Sequence, residues 1–143
     1  MKHISTSALV SFSVEQMFSL VNDVSKYADF LPGCSGSRVI ESFSNSMLAS
    51  IDVSKAGVHK TFITLNKFMS SSAILMHLID GPFKDLKGGW YFTLLDEQAC
   101  KIELKLEFEF SSKIAEAVFD QFFNQISSDI INVFSKRAEQ VYK

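Results

Sequence analysis

Ten consecutive residues, Lys101-Ile102-Glu103-Leu104-Lys105-Leu106-Glu107-Phe108-Glu109-Phe110, alternate strictly between charged and apolar. A period of two sends the even positions to one face of a strand and the odd ones to the other, so one face is dry and one is wet. Strands of that kind belong to antiparallel sheets. Asp96-Glu97-Gln98 separates this run from the apolar run Trp90 to Leu95, and the two are expected to pair as a hairpin. Any fold for this chain has to cover the dry face they share.

Further breaks at Ser44-Asn45-Ser46 and Ser70-Ser71-Ser72 separate β-suited runs at Met47 to Val53, Val58 to Phe68 and Ala73 to Ile79, the last ended by Asp80-Gly81-Pro82. The pair Gly88-Gly89 before Trp90 predicts a bulge or strong bend, hence a curved sheet. Two regions leave the strand pattern. Ser13-Val14-Glu15-Gln16 reads as a capping box that opens a short helix, followed by a second helical turn with Tyr27, Phe30 and Leu31 that Pro32-Gly33 stops. From about Ser112 onward, Phe119, Phe123, Ile126, Ile130 and Val133 recur at helical spacing with Phe122 alongside, which predicts a long amphipathic helix. The order is a strand, a short helix pair, about six more antiparallel strands and one long helix, an α+β chain. The Phe-rich helix must be buried, and the bent sheet is the surface large enough to bury it, with the short helices as a plug at one end.

Composition narrows the function. A length of 143 residues with 47% hydrophobic residues suits one domain, 1–143. The formal charge of −2 does not suggest a chain held on DNA or acidic lipid by bulk charge. With no apolar run of membrane-spanning length and no signal-peptide pattern, a cytoplasmic chain is expected. Cys34 and Cys100 lack the short spacing of a zinc or redox motif. His3, His59 and His77 fall on different strands without carboxylate or thiol at ligand spacing, so no metal is expected. No nucleophile elbow, phosphate loop or dinucleotide fingerprint is present, so no catalytic residue and no cofactor is expected. The loop Phe30-Leu31-Pro32-Gly33-Cys34-Ser35-Gly36-Ser37-Arg38 reads as a corner, since no neighbouring base would lower the Cys34 thiol pKa. Lys55, Lys60, Lys67, Lys84 and Lys87 against Asp80 and Asp85 give residues 55–87 a local excess of positive charge, read either as a patch for RNA phosphates or as solvated strand edges. A Phe stripe at helical spacing is read either as plain core or as one wall of an apolar cavity.

Several segments together carry a resemblance: Ala8-Leu9-Val10, the capping box, Leu20-Val21-Asn22-Asp23-Val24, Tyr27 with Phe30-Leu31-Pro32 and Cys34, Asp80-Gly81-Pro82-Phe83, Gly89-Trp90 and Phe108-Glu109-Phe110. Over essentially its whole length the chain resembles the START-like polyketide cyclase and lipid transport family, which includes mitochondrial coenzyme Q-binding proteins and bacterial ribosome association toxins. The segments Asp52 to Phe62 and Ile74 to Lys84 are similar to the toxin branch. Many relatives carry proline where Ala28 stands and tryptophan where Gly33 stands, departures that bear on the plug and not on the fold.

The resemblance implies a helix-grip fold, as in the birch-pollen allergen, with the sheet wrapped around the C-terminal helix. It implies a cavity for ubiquinone or a related isoprenoid lipid, held as ligand and not as a redox cofactor, by a non-catalytic carrier or chaperone with transient membrane contact. On that reading the lining is Phe30, Leu31, Met76, His77, Leu78, Trp90, Phe92, Leu104, Leu106, Phe108, Phe119, Phe123, Ile126 and Ile130, with Trp90, His77 and Tyr91 as candidate polar contacts. Trp90 and Tyr91 alternate, so only one of them faces in. For the toxin branch the resemblance implies binding to the large ribosomal subunit and blocking subunit association, with Lys55, Lys60, Lys67, Lys84 and Lys87 as contacts. A polyketide cyclase or aromatase activity follows only by analogy of fold.

Overall fold

The computed structural model describes residues 2–55, 57–70 and 72–142, without the side chains of residues 55 and 126–128. The chain opens with strand β1 (Lys2–Val10) and helix α1 (Val14–Asn22), continues through a 3-10 helix (Val24–Asp29), and then makes six strands in succession. These are β2 (Cys34–Ser42), β3 (Ser46–Lys55), β4 (Val58–Met69), β5 (Ala73–Asp80), β6 (Phe83–Asp96) and β7 (Ala99–Phe110), followed by helix α2 (Lys113–Tyr142). The strands form one antiparallel sheet in the order β1-β7-β6-β5-β4-β3-β2. Consecutive hairpins build β2 through β7, and β1 closes onto β7 in a register from Lys2 opposite Phe108 to Val10 opposite Cys100. The turn expected at Ser70-Ser71-Ser72 includes Ser71, which lies outside the described residues.

The alternation in β7 is realised as read: Ile102, Leu104, Phe108 and Phe110 are buried, while Lys105 and Glu109 are exposed. Strand β6 starts at Phe83 and not at Trp90, because Gly88 and Gly89 do not interrupt it; the ladder to β7 runs unbroken through Gly88 opposite Leu106 and Gly89 opposite Lys105. The register shifts of β6 fall instead between Phe83 and Asp85 and between Leu94 and Asp96, so the expected bulge at the glycine pair is corrected. What Gly88 supplies is close approach: a Cβ there would lie 2.0 Å from the Lys105 carbonyl oxygen.

Helix α1 begins as a complete capping box. The Gln16 amide donates to Ser13 Oγ at 3.1 Å, and the Ser13 amide donates to Gln16 Oε1 at 2.9 Å. Helix α2 is capped by Ser112, whose Oγ accepts from the Ala115 amide at 3.1 Å. Its far end is fastened to the plug by Tyr142, whose hydroxyl donates to the Gln16 carbonyl at 2.8 Å. Lys2 pairs with Asp120, which ties the first strand to the first half of α2.

The core has two parts. One packs α1, the 3-10 helix and the second half of α2 (Phe134, Ala138) over Trp90, Phe92 and Ile102. The other is largely aromatic, with Phe62, Phe83, Phe108 and Phe110 around Phe119. Ile51 and Leu106 touch both. Each fully buried phenylalanine contributes roughly 1.5–3 kcal/mol, so the two clusters hold the grip from both ends.

Candidate functional site

Between the two clusters lies a cavity of about 150 Å³. Every strand except β2 lines it, together with Val21 and Asn22 of α1, Tyr27 of the 3-10 helix, Leu31, and Phe122, Phe123, Ile130 and Phe134 of α2. Period two explains the selection on the strands: Phe62, Thr64 and Asn66 face in from β4, Ile74, Met76 and Leu78 from β5, and Leu104 and Leu106 from β7.

Of the expected lining, Leu31, Met76, Leu78, Trp90, Leu104, Leu106, Phe123 and Ile130 border this cavity. His77 does not. Its neighbours Met76 and Leu78 point in, so His77 is exposed on the outer face, in a shallow depression with Lys87 and Tyr91. Tyr91 likewise faces out, with Lys105 Nζ 5.8 Å from its ring centre, while Trp90 faces in against Phe134. Phe92 is buried beyond the cavity against Phe18. Phe108 and Phe119 fill the aromatic cluster rather than the wall. Phe30 sits one layer back, packed on Tyr27 and Phe134 under the Arg137 guanidinium. The Ile126 side chain lies outside the described residues.

Sequence reasoning missed the polar part of the wall. Thr64 Oγ1 donates to Asn66 Oδ1 at 2.9 Å, and the Asn66 amide hydrogens have no acceptor among the described residues. Asn66 is buried, and its even position between Phe62 and Phe68 was the available signal. Asn22 also borders the cavity, and its Oδ1 is buried without a hydrogen-bond partner. The Tyr27 hydroxyl is already used, donating to the Val21 carbonyl, and burial pushes its pKa upward. Phe134 was missed too, although it follows Ile130 by four residues, one helical turn.

A second hollow of about 260 Å³ runs outside, between the loop after the 3-10 helix and α2. Leu31, Phe122 and Ile130 border both spaces and form the partition between them. Pro32, Gly33 and Val133 continue the groove, with Ser54 and Asp129 at its rim. Gly33 has φ +80°, and a Cβ on it would stand 2.2 Å from the Phe122 ring, so this position shapes the partition. The corner reading of this loop therefore holds in geometry. Cys34 is buried, its Sγ 3.3 Å from the Gly36 carbonyl, and burial raises its thiol pKa.

Residues 10–135 match the family described as polyketide cyclase/dehydrase and lipid transport. The chain belongs to this family. It is 61% identical over 142 residues to a protein named Ribosome association toxin RatA from Vibrio cholerae, covering 99% of each. It is 25% identical to the mitochondrial coenzyme Q-binding protein COQ10 homolog B of Xenopus laevis, over 96% of this chain and 58% of that protein. Among solved structures it is similar to the ZhuI aromatase/cyclase from Streptomyces sp. R1128, with a TM-score of 0.82 at 18% identity over 99% and 96% of the two chains. That likeness gives the fold, the helix-grip arrangement expected from the element order.

Within this family frame, three further observations bear on function. No charged side chain is among the described cavity lining. No group of three or more His, Cys, Asp or Glu suited to a metal occurs among the described residues. Among the described residues, no helix is long and apolar enough to cross a membrane. The expected lysines do not make one face. Lys60 stands opposite the buried Val53, on the side that carries the core, whereas Lys67 and Lys87 occupy the outer face, Lys87 paired with Glu107 at 3.8 Å. Lys84 is exposed near the start of β6, and the Lys55 side chain lies outside the described residues.

Proposed function

We propose that this chain is a non-catalytic cytoplasmic binding protein that holds an isoprenoid quinone, or a lipid of that class, as a carrier or chaperone in respiration or quinone synthesis. The observation that carries this reading is the uncharged, mostly apolar cavity next to a surface groove. Burial of a tail supplies roughly 25 cal/mol per Å² of apolar surface before ordering costs. The coenzyme Q-binding name of the Xenopus relative points the same way. A catalytic reading is less favoured, because general acid–base work needs titratable groups at the substrate and the described lining offers only a tyrosine whose hydroxyl is engaged. The ligand is cargo, and no resident cofactor is part of the proposal. Native mass spectrometry and lipid extraction of protein purified from its host test it. A copurifying quinone is the expected result; no quinone, and no uptake when quinone is added, overturns it.

A second reading, association with the large ribosomal subunit and inhibition of translation initiation, is favoured by the full-length relative named Ribosome association toxin RatA. Exposed Lys60, Lys67 and Lys84 are its proposed phosphate contacts. Cosedimentation with separated subunits decides it: the protein is expected to travel with large subunits, and remaining at the top of the gradient sinks the idea. Charge reversal at the three lysines should weaken cosedimentation and leave quinone uptake unchanged.

A further inference from the structure

We infer that the head of the bound lipid is one neutral ring carrying a hydrogen-bond acceptor, held inside beside Asn66, with its tail leaving past Leu31, Phe122 and Ile130 along the groove over Val133. The inference rests on the apolar-ligand reading above and fixes the class and direction of the ligand within it.

Size comes first. A void of about 150 Å³ accepts a benzene-sized ring and no long chain. A multi-unit tail therefore has to continue elsewhere, and the groove of about 260 Å³ shares three wall residues with the cavity. Polarity then sets which end goes in. The Asn66 amide group has hydrogens to give and no acceptor among the described residues. An alkyl chain in the cavity would leave the Asn66 amide hydrogens unsatisfied, whereas a ring carbonyl or ring ether accepts from them. Charge excludes the common alternatives. Carboxylate and phosphate heads would enter a wall with no cation among its described residues, past Asp129 at the groove rim.

The chain contains one tryptophan, Trp90, and it lines the cavity, so quenching of its fluorescence reports occupancy of this site. The probes are a quinone with no isoprenoid tail, a long-tailed ubiquinone, palmitate, and an alkylbenzene matched to the long quinone in length. Both quinones are expected to quench saturably, and neither palmitate nor the alkylbenzene to displace them. Asn66→Leu is expected to weaken both quinones about tenfold, the loss of one hydrogen bond. Val133→Glu is expected to weaken the long-tailed quinone alone. The competition arms use the unaltered protein, so they stand even where a variant fails to fold. Displacement by palmitate or alkylbenzene at quinone-like affinity overturns the neutral acceptor head while leaving lipid binding intact. Unchanged quinone affinity in a folded Asn66→Leu protein does the same. Equal weakening of both quinones by Val133→Glu overturns the tail path. If no probe binds at all, the underlying apolar-ligand reading falls.

Discussion

Gly33 sets how closely the plug approaches the long helix. With φ at +80° and the Phe122 ring where a Cβ would stand, any side chain there needs both an unfavourable backbone and a displaced ring. Gly33→Ala should therefore cost roughly 1–3 kcal/mol in chemical unfolding. Cys100 acts differently. Fully buried beneath the sheet's inner face, its thiol is pushed from 9.0 up to about 11 by desolvation. Below about pH 9 the thiol is neutral in folded and unfolded chains alike, and its contribution is complete. Above that the unfolded chain loses a proton that the folded chain keeps, so stability should fall as pH rises toward about 11. Cys34 shifts in the same direction. Urea midpoints at about pH 8 and about pH 10 would show the drop, and Cys100→Val should reduce it, the buried Tyr27 and Cys34 supplying the rest.

At the scale of elements, the capping box at Ser13 starts the helix whose last turn borders the cavity. Ser13→Ala should destabilise the protein by about 1 kcal/mol, read from its thermal midpoint. Much of this level was legible beforehand. Strict alternation from Lys101 to Phe110 gave β7 its faces, and Ser13 with Gln16 gave α1 its start, because both are local patterns with a single physical reading. The wall of the cavity was less legible. Alternation says that Met76 and Leu78 share a face and His77 does not, but only the surrounding elements say which face is inside. Phe92, Phe108 and Phe119 point inward as expected yet fill the two clusters, because position along a strand relative to α1 and α2 decides between core and wall. Asn66 was passed over since a lone amide in an apolar run carries no spacing rule, and its role becomes visible only once Thr64 is seen to occupy its oxygen.

At the scale of the whole molecule, the plug joins the two edges of the sheet. Strands β1 and β2 stand at opposite ends of the strand order, and α1 with the 3-10 helix spans from one to the other. Lifting the plug to admit a ligand therefore pulls on both edge strands and uncovers Trp90, Phe92 and Ile102 on β6 and β7, while the β4–β5 hairpin keeps its ladder. Hydrogen exchange should show β1 and β2 protected together when ligand is bound, with the β4–β5 hairpin little changed; protection confined to α2 would show that the helix moves instead. Lys60 and Lys67 stand on opposite faces of the sheet, so reversing them one at a time should weaken cosedimentation unequally, the larger loss marking the face that meets the subunit.

The pairing of β1 with β7 also has a bearing on synthesis. Lys2 has no ladder partner until Phe108 has been made, and Val10 waits for Cys100. Strands β2 to β5 close locally as hairpins while the first strand remains unpaired through most of translation. Contacts that distant in sequence are slow to form, and an unpaired strand is an invitation to pair wrongly. The nascent chain should thus stay protease-sensitive until β7 and the α2 residues that complete both core clusters clear the ribosome, with protection then gained in one step.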